Sequence, residues 1–172
     1  MTIYTIGHST RSFDAFRALL EAHAIEQVAD IRTIPASRRH PQFAGPALAD
    51  ALANAGIGYR HYPGLGGLRK PRRDSRNGGW RNASFRGYAD HMETDEFQRA
   101  LDALVAWSVR PTAIMCAEAV WWRCHRQLVA DALVARGIEV RHIATDTSAA
   151  PHALTEFART DANGRVTYPG VV

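Results

Sequence analysis

The segment Ala113–Arg126, A-I-M-C-A-E-A-V-W-W-R-C-H-R, carries both cysteines of the chain, Cys116 and Cys124, together with Glu118, Arg123, His125 and Arg126. A thiol among basic groups suits nucleophilic catalysis, because the thiolate is the reactive form and nearby cations or a helix N-terminus favour it. Cys116 is therefore a candidate nucleophile, with Glu118 and His8 as candidates for acid–base work. Each also has a plainer reading: Cys116 as a small apolar filler ending a strand, Glu118 as a helix cap. The spacing predicts a helix over 120–136, which puts Cys124 and His125 on the flank of Trp121, Leu128 and Ala132, as buried support for the pocket. Arg126 falls off that stripe, as an anion ligand or a surface charge.

Three familiar chemistries can be held against this spacing. Bulky Val120, Trp121 and Trp122 lie between Cys116 and Arg123, where a cysteine-phosphatase loop needs small residues around its phosphate. Cys116, Cys124, His125 and His8 are the donor types a tetrahedral zinc site uses, but two of them are adjacent and there is no C-x-x-C pair, so no metal is assigned. Ser9, His8 and Asp30 lack the sequence of a nucleophile elbow.

The elements that position these residues follow from periodicity. Short apolar runs at Thr2–Ile6, Val28–Ile31, Ile57–Tyr62, Thr112–Met115 and Ile138–Ile143 read as strands. Between them lie helical patterns: one capped by Ser12, one from about Pro46 to Asn54, and two at Tyr88–Met92 and Phe97–Trp107. Alternation of this kind predicts an α/β fold, a three-layer sandwich around a mainly parallel, Rossmann-like sheet of about five strands. In the C-terminal extension, about 145–172, Leu154–Arg159 reads as a helical segment and Asp161–Tyr168 as a small hairpin. Residues 1–172 are read as a single domain. A parallel sheet brings the carboxyl ends of its strands to one edge. There it would gather His8 and Ser9, Asp30 and Arg32, Gly66 and Gly67, and Cys116 and Glu118. Arg32, Arg38 and Arg126 are the candidate anion ligands, since guanidinium groups bind phosphate in bidentate fashion.

Charge is concentrated in one place. The chain has a net charge of +4 and a single lysine among 21 basic residues. Arg69, Lys70, Arg72, Arg73, Arg76, Arg81 and Arg86 crowd an insertion at about 63–87, opposed only by Asp74. With Trp80 as a stacking surface, this loop is either a nucleic-acid contact or a solvated arginine-rich surface. Hydrophobic content of 46% with 22% charged residues is ordinary for a globular protein. Without a membrane-length apolar run or a leader-like start, and with only two cysteines, the expectation is a cytoplasmic protein with no membrane partner.

Several motifs then occur in order: T-I-G-H-S at Thr5–Ser9, D-I-R-T-I-P-A-S-R at Asp30–Arg38, L-G-G at Leu65–Gly67, C-A-E at Cys116–Glu118, C-H-R at Cys124–Arg126 and G-I-E-V-R-H-I at Gly137–Ile143. Together they resemble the bacterial and archaeal family known as domain of unknown function 488, and W-R-N-A-S-F-R-G-Y at Trp80–Tyr88 resembles a feature of one branch. The resemblance implies a compact α/β domain and brings no established activity. The sequence thus leads to an enzyme acting on a phosphate-bearing ligand, a nucleotide or nucleic acid, in a polar pocket at the strand ends. The alternatives are a nucleic-acid-binding module built on the basic loop, or a Cys/His metal or small-ligand sensor. It specifies neither cofactor nor oligomeric state.

Overall fold

The computed structural model describes residues 1–170. In chain order its principal elements are β1 (Thr2–Gly7), α1 (Phe13–Ala22), β2 (Gln27–Asp30), α2 (Gly45–Asn54), β3 (Gly58–His61), α3 (Ala83–Met92), α4 (Asp95–Trp107), β4 (Thr112–Cys116), α5 (Arg126–Ala135), β5 (Glu139–Thr145) and β6 (Ser148–Pro151). A ribbon of β7 (Arg159–Thr160) and β8 (Val166–Thr167) follows. Side chains satisfy the first amides of three helices: Ser12 accepts from Ala15 N, Asn82 from Ser84 N and Phe85 N, and Thr94 from Phe97 N.

The six-stranded sheet has the order β3-β2-β4-β1-β5-β6, parallel except for the edge strand β6. It is the expected α/β sandwich, with one strand more than the five apolar runs because Ser148–Pro151 turns back on β5. Strand alternation splits the interior in two. Ile6, Val28, Ala113 and Met115 pack under α1 and α2, against Phe16, Leu20, Leu48 and Leu52. Ile3, Ala29, Ile114 and Cys116 pack on the other face with Leu101 of α4 and Leu128 of α5. From β1 the chain winds towards β3, and from β4 it winds towards β5. The reversal falls between β4 and β1, the position at which open α/β sheets bind ligands.

Two expected helices differ. Residues 120–125 do not join α5: Trp121–Arg123 form a single tight turn and Cys124 is extended, with α5 starting at Arg126. The cause is tertiary, since the Trp121 ring stacks on His142 at 4.3 Å and Cys124 turns back onto Cys116. Leu154–Arg159 is likewise not helical. His152 N is bonded to Val140 O, and Thr155 N to the Asp131 carboxylate, so this backbone is tied to β5 and α5. The hairpin forms as expected, with Arg159 opposite Thr167.

The long insertion is held from within. Buried Asp90 accepts hydrogen bonds from Arg72 N, Ser75 Oγ and Asn77 Nδ2, and fully buried Asn77 accepts from Tyr168 N. Burial works to raise the Asp90 pKa, but these bonds outweigh it and hold the carboxyl below its ordinary range. No helix of the described residues is long and apolar enough to cross a membrane.

Candidate functional site

At the β4/β1 reversal, residues leaving the strands line a cleft of about 730 Å³. Gly7 makes its geometry possible. The backbone leaving Cys116 crosses the end of β1 so closely that a Cβ on Gly7 would lie 1.8 Å from Glu118 O. The β1/β4 ladder continues past the strands, with His8 N bonded to Cys116 O and Ser9 N to Ala117 O.

The two cysteines face each other in the cleft wall, with Sγ atoms 2.8 Å apart. They differ in what surrounds them. Burial pushes the Cys116 thiol well up, and its contact with Cys124 adds to this. Cys124 is held well below the ordinary thiol range, first by its hydrogen bond with Cys116 and then, against burial, by His125 and Arg126. Its Sγ also receives the N–H of Arg126, at the first turn of α5, at 3.5 Å. Of the two sulfurs, Cys124, which sequence reasoning placed in support, is the one approached by His125 and by the Arg126 N–H, whereas Cys116 has Cys124 and Glu118 O beside it.

His125 stands beside this sulfur, with Nδ1 3.5 Å from Cys124 Sγ and Nε2 2.9 Å from Ile31 O. A carbonyl only accepts, so Nε2 carries a proton and Nδ1 is turned to the sulfur, poised to take the thiol's proton. Cys124, His125 and Ile31 O, just past the end of β2, thus form a thiol–imidazole–carbonyl chain. Gly67 packs against this ring, where a Cβ would lie 3.1 Å from Nδ1.

The cationic lining is Arg32, Arg38, Arg39 and Arg123, against one carboxylate, Glu118. Arg32 is neutralised in place. Its guanidinium bonds both oxygens of buried Asp30 at 2.9 and 2.7 Å, and Tyr59 OH donates to the same carboxylate. Its remaining nitrogen meets His8 Nε2 at 3.4 Å. His8 Nδ1 lies 2.9 Å from Ser9 O, and its ring stacks on Phe43 at 4.4 Å. Burial lowers the His8 pKa, with the Arg32 charge acting the same way against the Ser9 bond, so the ring is a neutral hydrogen-bonding wall at pH 7. Arg38, Arg39 and Arg123 are exposed and face the opening, as does the Glu118 side chain.

Several expected ligands lie elsewhere. Asp30 sits behind Arg32 and does not line the cleft. Gly66 packs on Thr33, where a Cβ would meet Oγ1 at 2.4 Å. Arg126 is not a surface cation: it is 1% exposed, and its NH2 donates to Glu118 O and Ala119 O at 2.8 and 3.2 Å, fixing the turn after β4. Trp80 is partly buried, with Phe85 and Phe157 edge-on to its ring and Tyr168 tilted against it. In the basic loop, Arg69 bonds Gly66 O and Pro63 O, and Arg72 and Arg76 pair with Glu93. Lys70, Arg73 and Arg81 are exposed. Among the described residues, no three His, Cys, Asp or Glu side chains gather as a metal site.

Behind Arg126 runs a buried hydrogen-bond chain that sequence reasoning missed. Arg126 NH1 donates to Thr5 Oγ1 at 3.4 Å, and Thr5 Oγ1 lies 2.6 Å from His142 Nδ1, its partner across the β1/β5 register. His142 Nε2 meets His152 Nδ1 at 2.9 Å, and His152 Nε2 meets the Asp131 carboxylate at 2.8 Å. Tyr168 OH donates to the second carboxylate oxygen at 2.7 Å. Arg126 can only donate and Asp131 only accept, so donation running from Arg126 through Thr5, His142 and His152 to Asp131 satisfies every link of the chain. The available signal was His142, a polar residue in an inward position of an apolar strand.

Comparison with known sequences fits this architecture to one family: residues 12–133 match the model described as Domain of unknown function DUF488. The chain belongs to the DUF488 family. The matched DUF488 segment contains both cysteines, Glu118, the cleft arginines and His125, whereas Thr5, His8, His142 and His152 lie outside it. No curated protein and no solved structure matched the sequence.

Proposed function

We propose that this DUF488 protein is an enzyme that holds a phosphate-bearing ligand, a nucleotide or nucleic acid, in the cleft and attacks it with the Cys124 thiolate. The observation that carries this reading is the placement of the Cys124–His125 pair, oriented by Ile31 O, beneath three exposed arginines. Arg38, Arg39 and Arg123 would neutralise and orient the phosphate through forked hydrogen bonds. His125 takes the proton of Cys124, the S–P bond forms as a P–O bond of the ligand breaks, and the departing oxygen takes a proton from Glu118. His8 acts as a neutral hydrogen-bonding wall. Ile34 and Leu68, 68% and 87% exposed at the mouth, and Phe85 within it supply the apolar surface that a base would use. This favours the nucleotide among phosphate carriers. The nucleic-acid module is the weaker reading, because Trp80 and much of the basic loop are already engaged within the fold.

The test is site-resolved alkylation of Cys124 against pH, with inorganic phosphate as the competing ligand. Labelling should persist well below the ordinary thiol pKa of about 8.5, and phosphate should slow it. Arg123→Gln should weaken that protection. A Cys124 that labels only as an ordinary thiol, or that phosphate leaves unprotected, would overturn the reading.

A further inference from the structure

Cys116 and Cys124 are a matched pair of sulfurs as well as one nucleophile and its neighbour. Cys116 ends the most buried strand of the sheet, and Cys124 is the extended residue that leads into α5, so the intervening turn closes on itself at the sulfurs. At 2.8 Å a contraction of under ~1 Å would bond them. Both line the cleft, so a small reagent that reaches one reaches the pair. His125 lies beside the pair, but among the described residues no three such side chains are placed to hold a metal ion. The turn between them is held by the Arg126 guanidinium on Glu118 O and Ala119 O, which keeps the sulfurs facing each other.

We propose that Cys116 and Cys124 form a hydroperoxide-responsive dithiol, in which Cys124 is oxidised first and Cys116 resolves it to an intramolecular disulfide that shuts the cleft off. The proposal rests on the reading of Cys124 as the reactive sulfur. The Cys124 thiolate attacks the terminal oxygen of a hydroperoxide, the O–O bond breaks, and the leaving alkoxide (hydroxide, for hydrogen peroxide) takes a proton from His125. Cys124 is now a sulfenic acid and the hydroperoxide has been reduced to an alcohol or water. The sulfur of Cys116 then attacks that of Cys124. The S–S bond forms, the S–O bond breaks, and the departing hydroxide leaves as water with the proton of Cys116. In sum, two thiols and one hydroperoxide give a disulfide, an alcohol and water. The product has no thiolate to act as nucleophile, and an external dithiol restores it.

The experiment treats the full chain with hydrogen peroxide, then maps both residues by differential alkylation and mass spectrometry, with dimedone present to trap sulfenic acid. In the wild type both free thiols should disappear together into one cross-linked peptide that dithiothreitol reverses. In Cys116→Ser the cross-link should be absent and dimedone should mark Cys124. In Cys124→Ser, Cys116 should stay unmodified at the same dose. Wild-type oxidation that runs to the sulfinic acid at Cys124 without a cross-link, or oxidation of Cys116 in Cys124→Ser, would overturn the proposal. Fast low-pH alkylation of Cys124 with no peroxide-driven cross-link would refute the dithiol and leave the nucleophile standing. Slow alkylation and no cross-link would refute both.

Discussion

Lowering the pH from 7 to 5 puts a measurable load on the buried chain from Arg126 to Asp131, and His142 is where it falls. Its pKa is pushed down to about 3, first by burial and then by the charges of His152 and Arg126 around it. In the unfolded chain the same ring titrates near 6.5. Below pH 6.5 the unfolded state binds a proton that the folded state refuses, so stability falls as pH falls, and keeps falling until the folded ring titrates near its own value. The slope approaches about 1.4 kcal/mol per pH unit, which gives roughly 2 kcal/mol by pH 5. For a chain of this length that is a fall in Tm of about 4–8 °C. His8 and His91, also lowered by burial, add in the same direction, so the comparison that isolates His142 is with His142→Gln. That variant should melt lower at pH 7, yet lose about 2 kcal/mol less than the wild type between pH 7 and 5. Calorimetric or denaturant unfolding at matched ionic strength reads both slopes. Equal slopes would mean that His142 is charged in the folded protein, against its burial beside Arg126 and His152.

Gly7→Ala should cost about 1–3 kcal/mol by overpacking and slow Cys124 alkylation, since the new methyl must displace Glu118 O; a variant that melts and labels like the wild type would refute that crossing. Asp90→Asn should loosen residues 66–82, read as faster amide exchange there, with a stability loss of about 2–3 kcal/mol for the charged acceptor removed. Because the Asp90 carboxyl is held low, its contribution is present above the ordinary carboxylate pKa and disappears as pH falls through the folded value. The Asn variant should show a shallower acid limb; unchanged exchange in the loop would count against the Asp90 contacts.

The sheet was legible because its strands are short apolar runs, and parallel topology alone brought His8, Arg32, Cys116 and Glu118 to one edge. What escaped was contact across long sequence separations. The apolar spacing of Val120, Trp121 and Leu128 looks like one helix, and only the stacking of Trp121 on His142 shows why the helix waits until Arg126. Arg126 looked like a surface cation because its partners are two carbonyls and a threonine, none of which a charge pattern reveals. Trp80 sits in an arginine-rich segment that suggests a surface, while its neighbours in space are Phe157 and Tyr168 from the C-terminal hairpin region.

That C-terminal region sets the electrical balance of a site it never touches. Arg126 has no carboxylate against it, and its counter-charge is Asp131, reached through Thr5, His142 and His152. Three of the groups that orient that carboxylate, His152, Thr155 and Tyr168, come from residues beyond the matched DUF488 segment. The field behind Cys124 is therefore set in part by residues outside the matched segment, so a change at His152 or Tyr168 reaches the cleft without altering any residue that lines it.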